Sequence, residues 1–542
     1  MTGGAERPVV AVLFAEGWTD AYVPTVTTLR RAHPGMEVVA ASPDPAAVAP
    51  LVEVGARSVV AVSLSTAVNE LWEEGRCHVL VVTEPVVVPS AFLAPALAAV
   101  SGDMSVATVS FLCNAASFVS FPYRNQAVSH QVESLDEESI TRLLRETEPE
   151  QAPAPIPFSA GPVVLLSSYA LSAVGPLAEV GGLRGGLALA DVSLRARQKG
   201  FLDVVDPATF VARPYDLGTL EDAGFTPAED RWLLDRHPFS ADIARQESNA
   251  GDSPLAIVHA AARAKVLGLR VLIDGSCLGP KEMGTQVQTS CLVAALSRRP
   301  DVERVYVALA TSVPAYAAEI LSHPKVEARY VAGGDVTGFG WVDVGHRPFQ
   351  PTGSLHPSWF KTAARTVVTI QDLTSFHVGI YHATSEEWIY HRDAMRQVAG
   401  ACDGVIAISH DVRDHLGLER MPVDPERIFV VENGTDHLSG EEATSPPSEL
   451  LARGFVAGDF ALVLGTNYAH KNRDIAIQVV GELRRRGVRL ALVLAGAAVP
   501  FGSSRTAEAR RGAGQEHVYV IPDVTSEERN WLLRHAALVL YP

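Results

Sequence analysis

The sequence predicts an α/β protein assembled from several parallel-sheet blocks. Three observations carry this. Short apolar runs alternate with helix-spaced stretches, the same strand–helix grammar returns in three successive blocks, and two polar, turn-rich segments separate those blocks. The chain has 542 residues. Single cores stop growing near roughly 250–300 residues, so about two to four domains are expected.

Composition narrows the function. Apolar residues make up 47% and charged residues 20%, ordinary values for a globular protein. The net charge of −17 argues against a protein that works on the nucleic-acid backbone, because phosphate contacts need an excess of Lys and Arg. The basic runs "LRRRG" (483–487) and "ARRG" (509–512) read as solvated helix faces. The five cysteines, Cys77, Cys113, Cys277, Cys291 and Cys402, are scattered and form no CxxC, so neither a disulfide framework nor a zinc site is indicated. The N-terminus lacks a basic region followed by a long apolar one, and a cytoplasmic location is expected. The most apolar window (79–100) contains Glu84 and three prolines, so it reads as strand, turn and helix rather than a membrane span.

In the first block (1–210), "VVAVLF" (9–14), "EVVAAS" (37–42), "VVAVSL" (59–64) and "HVLVVTE" (78–84) are strand candidates. "EPEQAPAPIP" (148–157) reads as a surface loop, after which "PVVLLSSYALSAVG" and "LALADVSLRARQKGFLDVV" resume the domain. Residues 211–267 are polar and helical and read as a connector, with Thr226 as a helix N-cap and Pro227 in the first turn. The second block (268–440) has strands at 269–275, 302–310, 326–332, 365–370, 404–409 and 427–434. A linker follows at 435–454. The third block (455–542) has strands in "FALVLGT", "RLALVLAG", "HVYVIPDV" and "AALVLYP".

Several motifs in the second and third blocks act together. "VLIDGSCLGPKEMGTQVQTSCLVAALSRRP" (271–300) is a strand, a glycine-bearing loop and a helix, where glycines such as Gly279 and Gly284 let backbone N–H groups approach a ligand. "VVTIQDLTSFHVGIYHATSEEWIYHRDAMRQVAGACDGVIAISHDVRDHL" (367–416) and the turn "IFVVENGTD" (428–436) follow it. "GTNYAHKNRD" (465–474) then places His470 and Lys471 at a strand-to-helix junction. Together these resemble a GT-B glycosyltransferase of the retaining family 4 kind. The resemblance implies tandem Rossmann-like domains holding a nucleotide sugar, with no cofactor and no metal. Lys471, six residues after Gly465, would neutralise the donor diphosphate, whose leaving charge fixed cations stabilise. Gly465, Thr466 and His470 would line the same donor site, and Gly284, Thr285 and Gln286 would face the sugar. Gln371-Asp372 stands where the family usually has His-Asp, which puts an acid–base role at Gln371 in doubt. His470 stands where the family often has arginine, and its charge at neutral pH is left open. The family's two later glutamates would lie past Pro542. This piece is therefore expected to hold the diphosphate half of a pocket, to end on an unfinished sheet edge, and not to turn over by itself.

The first block resembles, more weakly, a family 2 glycosyltransferase of the GT-A fold. "EVVAASPDP" (37–45) matches its nucleotide-binding segment, and Thr83-Glu84-Pro85 stands at its metal-binding acids. "ALADVSLRARQKG" (188–200) matches its "E-D-x-D-L-S-L-R-x-R-x-x-G", putting Asp191 at the general-base place. A single carboxylate is a poor anchor for Mg²⁺ or Mn²⁺. Asp44, Glu84 and Asp191 are thus read as the remains of an eroded site.

His377, His382 and His391 lack the spacing of a zinc motif. No GxSxG supports a hydrolase, and no GxGxxG after a strand supports a dinucleotide site. The leading expectation is transfer of a sugar from a nucleotide sugar to a free or lipid-linked glycan in cell-surface polysaccharide synthesis, without nucleic acid and with peripheral contact at the inner face of the membrane left open. The alternatives are a non-catalytic glycan-binding scaffold of degenerate transferase folds and a GT-B sugar-nucleotide epimerase.

Overall fold

The computed structural model describes residues 8–15, 19–75, 77–128, 135–146, 152–214, 225–249, 253–280, 282–435, 444–513 and 515–542. The chain divides into two compact units, Met1–Leu269 and Arg270–Pro542.

The first unit is built on one eight-stranded sheet. Its strands are β1 (Val9–Phe14), β2 (Glu37–Ser42), β3 (Arg57–Val60), β4 (His78–Val82), β5 (Val106–Cys113), β6 (Ala154–Ile156), β7 (Val163–Leu166) and β8 (Leu202–Val211). The order is β3-β2-β1-β4-β7-β5-β8-β6. β1 pairs in parallel with β2 and β4, and β5 with β8, while β7 runs antiparallel between β4 and β5. Alternation assigns the faces: Val12, Val39, Val79 and Val81 enter one core, and Leu13, Val38, Leu80 and Val82 the other. Both faces are therefore covered, which is why these strands read as unbroken apolar runs.

Three sequence assignments in this unit change. The segment "VVAVSL" gives a strand only to Val60, and Leu64 opens the helix Leu64–Gly75. "VATVSFLC" is the fully buried strand β5, not anticipated because Thr108 and Ser110 interrupt its apolar pattern. The proline-rich loop contains β6, an edge strand antiparallel to β8; an edge is where a sheet tolerates proline. Residues 148–151 of that loop lie outside the described residues.

The segment read as a connector forms the helices Pro227–Arg236, Ser240–Asn249 and Pro254–Leu267, with residues 215–224 and 250–252 outside the described residues. Thr226 caps the first of them in a reciprocal box with Glu229. Leu233, Leu255 and Ala262 are buried in the first unit's core, so these helices are a packed layer of that unit.

The second unit carries two parallel sheets. The larger contains β9 (Leu269–Asp274), β10 (Val302–Leu309), β11 (Val326–Tyr330), β12 (Val342–Arg347), β13 (Ala363–Ile370), β14 (Gly404–Ala407) and β15 (Ile428–Val430), in the order β11-β10-β9-β12-β13-β14-β15. β12 was not legible in advance. Its "VDVGHR" is too polar for an apolar run, yet it pairs in parallel with β9 and β13 near the middle of the sheet. The smaller sheet contains β16 (Phe460–Leu464), β17 (Ala491–Ala495), β18 (Val518–Ile521) and β19 (Leu538–Val539), in the order β18-β17-β16-β19. Leu462 and Val493 face one core of this sheet, and Ala461, Val463, Leu492 and Leu494 face the other. Of the expected linker, residues 436–443 lie outside the described residues, and Ser448–Leu451 is a short helix. No described helix is long and apolar enough to cross a membrane.

Candidate functional site

The junction after β16 is built by glycine and buried polar groups. Gly465 has φ +121° and Gly496, just after β17, has φ +128°. A Cβ on Gly496 would stand 2.3 Å from the Gly465 carbonyl oxygen, so these two strand exits touch only because Gly496 has no side chain. Arg473 is 1% exposed and donates to the carbonyls of Gly465 and Ala495, with the Glu508 carboxylate 3.7 Å away. Asn467 organises the loop between: its Oδ1 accepts from the Val499 N–H at 2.9 Å and its carbonyl accepts from the Ser504 hydroxyl at 3.0 Å. Neither Arg473 nor Asn467 stands out from sequence, although both lie within the "GTNYAHKNRD" motif. Fixed by them, the turn Ala469–Lys471 leads into the helix Arg473–Arg485.

His470 and Lys471 occupy that turn. The Lys471 ammonium donates to the Tyr541 hydroxyl and lies 4.4 Å from the Tyr541 ring centroid. His470 stacks on Tyr468 with ring centroids 5.6 Å apart. Burial lowers the His470 pKa, the Lys471 charge lowers it further, and Asp372 opposes both. Burial and the neighbouring Lys471 charge thus both favour the neutral imidazole at His470. The same carboxylate of Asp372 acts on Tyr468, so the third block's loop and the strand exit of β13 lie within electrostatic reach.

At the exit of β13, Gln371 is held by three neighbours. Its Oε1 accepts from the Thr285 hydroxyl at 3.2 Å, and its amide donates to Gln288 and, at 3.3 Å, to the Pro348 carbonyl. Gln288 in turn donates to Asn433 of the "NG" turn at 2.9 Å. The structure thus brings Thr285, Gln371 and Asn433 together from three separate motifs. Asp372 is exposed, and its Oδ1 accepts from the Thr374 N–H at 2.8 Å. Gln286 behaves differently. It is 8% exposed, donates to the Cys277 carbonyl at 2.8 Å and accepts from the Met283 N–H at 3.2 Å, so it caps the helix Gly284–Ser297. Gly284 has open space where a Cβ would stand. Thr466 lies with its hydroxyl 3.9 Å from the Met283 sulfur, and Glu282 accepts from the Ser526 hydroxyl at 2.7 Å; both contacts join the two sheets' loops.

In the first unit the three carboxylates do not gather. Asp44 caps a short turn by accepting from the Ala46 N–H at 2.9 Å. Glu84 pairs with the buried Arg213 at 2.9 Å. Asp191, 3% exposed, takes Arg195 Nε on one oxygen and His237 Nε2 on the other, each at 2.9 Å. His237 follows the helix Pro227–Arg236, so the added helical layer supplies the partner. The same layer places Glu229 on Arg184 at 2.7 Å. Of the three histidines in 377–391, His377 lies 3.1 Å from Glu419, and His382 and His391 have ring centroids 4.9 Å apart. Among the described residues no group of three or more His, Cys, Asp or Glu side chains is placed to hold a metal ion. All five cysteines are free thiols, and burial pushes Cys277 up to about 11.

Set beside known proteins, residues 343–437 match the family model described as Glycosyltransferase Family 4. A search of curated proteins finds no match. Among solved structures, Anabaena HepE in complex with UDP-glucose is 15% identical, with 50% of this chain and 73% of that one covered and a TM-score of 0.36. A glycosyltransferase from Rickettsia africae is 16% identical, covering 50% and 72%, with a TM-score of 0.32. A putative UDP-N-acetylglucosamine 2-epimerase from Listeria monocytogenes is 14% identical, covering 50% and 73%, with a TM-score of 0.32. Likenesses of this size leave the functional argument to the chain's own residues. The family match spans β12 to the "NG" turn, and so includes Gln371, Asp372 and Asn433.

Proposed function

We propose that the second unit is a GT-B glycosyltransferase, which takes a sugar from a nucleotide-sugar donor and transfers it with retention to a glycan. The observation that supports this most directly is the meeting of the Family 4 segment with the glycine–Lys471 loop inside one unit. Lys471 supplies the cation for the leaving diphosphate. Neutral His470 adds hydrogen bonding. Gln371, braced by Thr285 and Gln288, orients hydroxyl groups of the sugar or acceptor without exchanging a proton. The acceptor is a growing cell-surface glycan, free or lipid-linked, handled on the cytoplasmic side. This last part rests on resemblance.

The first unit is a GT-A-like domain whose candidate acids have turned to structural use. Its strand order, with one antiparallel strand inside a parallel set, supports that reading, as do the ion pairs at Glu84 and Asp191. A scaffold role for this unit follows.

The test is calorimetric titration with UDP, GDP and their common sugar derivatives. The expected result is binding that Lys471→Ala weakens by about tenfold or more, as a charge-assisted contact to phosphate requires. A scaffold without a donor site binds glycans and no nucleoside diphosphate. An epimerase converts UDP-N-acetylglucosamine with no acceptor present, which the transferase reading does not expect.

A further inference from the structure

Tyr381 makes a contact that the proposed reaction does not explain. It ends the turn Gly379–Tyr381, inside the Family 4 segment, and is braced from behind: Gly379 packs on Trp388, whose indole N–H donates to the Phe376 carbonyl at 3.0 Å. Its neighbours Val378 and Ile380 are 39% and 58% exposed. Tyr381 instead reaches the loops of the third block. Its hydroxyl accepts from the backbone N–H of His470 at 3.2 Å and lies 3.0 Å from His470 Nδ1. Its ring meets Tyr468 and His470 edge-on, with centroids 5.5 Å away in each case.

The receiving surface is shaped for a ring. Gly502 has φ +64°, and a Cβ there would stand 2.2 Å from Tyr381 Cδ1. The Ala469 N–H donates to the Gly502 carbonyl at 2.7 Å, which ties this glycine to the His470 turn. A backbone donor, an imidazole nitrogen and a side-chain-free glycine thus form one seat, and a phenol oxygen fills its polar end. That N–H belongs to the turn leading into the helix Arg473–Arg485, beside Lys471. An oxygen of a diphosphate held by Lys471 needs the same kind of donor.

We propose that Tyr381 is a gate on the diphosphate site: its hydroxyl and a donor phosphate oxygen compete for the His470 N–H, so the tyrosine must leave its seat before the donor binds fully. This rests on the donor-site reading above and adds a selective step to it. A ligand bearing both phosphates displaces the phenol, whereas a nucleoside lacking them has nothing to offer the His470 N–H.

The experiment compares inorganic pyrophosphate, UDP and uridine binding to the wild type, Tyr381→Phe, Gly502→Ala and Lys471→Ala by calorimetry, with melting curves to confirm folding. Tyr381→Phe keeps the ring and removes the competing oxygen. Losing the hydroxyl's contacts with the His470 N–H and Nδ1 from the closed seat should tighten pyrophosphate and UDP by about three- to tenfold and leave uridine unchanged. Gly502→Ala should eject the ring and tighten the same two ligands, provided its melting curve stays cooperative. Unchanged or weaker UDP binding in Tyr381→Phe, with Lys471→Ala still deleterious, overturns the gate and leaves the donor site standing. Absence of pyrophosphate and UDP binding in every variant overturns both.

Discussion

Asp191 in the first unit and Lys471 in the second are both assigned by motif resemblance, one as a base and the other as a diphosphate cation. Their surroundings differ. Asp191 is 3% exposed and has one oxygen taken by Arg195 and the other by His237, both of the same unit. Lys471 stands in a turn whose backbone is fixed by buried Arg473 and Asn467, while its own ammonium meets only an exposed tyrosine, Tyr541, among its described partners. In the first unit the charged residues tie one helix to another and one strand exit to another. In the second the buried polar residues hold a loop, and the loop's charge is left at the surface. A motif residue is a site residue only where other groups satisfy the structural demands around it.

The comparison can be broken most sharply at Asp191. Asp191→Ala leaves Arg195 and His237 without their carboxylate, and removing one partner of a buried pair costs about 3–5 kcal/mol. Denaturant unfolding of the variant should show that loss, with nucleoside diphosphate affinity unchanged. Asp203 comes next. It is 1% exposed, and burial pushes its carboxyl up to about 7, against hydrogen bonds from Thr108 and Ser193. The folded state therefore holds a proton that the unfolded state releases near the ordinary 3.8, so stability falls as pH rises from about 4 to about 7 and then levels. Asp203→Asn should flatten that slope and gain on the order of 2–4 kcal/mol at pH 8, read from unfolding curves across pH. The smallest effect is at Glu229. Burial raises its pKa, but hydrogen bonds from Arg184 and from the Thr226 backbone outweigh this and carry it down to about 2. Its contribution is present above the ordinary 4.5 and is lost as pH falls toward about 2. Arg184→Gln should shrink that acid-side loss, with a cost of about 1–2 kcal/mol at pH 7.

Much of the fold was legible because its strands are buried on both faces and announce themselves as apolar runs. β5 and β12 were not, since Thr108, Ser110, Asp343 and His346 sit inside strands where the apolar pattern expects none. The site was legible one motif at a time. Gln371 and Thr285 emerged from separate segments and meet in space. Gln286 shows the limit of motif transfer, for its side chain is spent on a helix cap. Tyr381 left no signal at all: it is 89 residues from His470, and a tyrosine in a loop carries no spacing rule. Arg473 lies inside the motif, yet nothing local says that it is buried rather than exposed.

The account turns on Lys471 as the cation of a diphosphate site that the first unit's carboxylates do not share. The most direct measurement is UDP affinity in the wild type, Lys471→Ala and Asp191→Asn, determined side by side at pH 7.5. The account predicts about a tenfold or greater loss for Lys471→Ala and none for Asp191→Asn. Equal affinity in the wild type and Lys471→Ala, or a loss confined to Asp191→Asn, would contradict it.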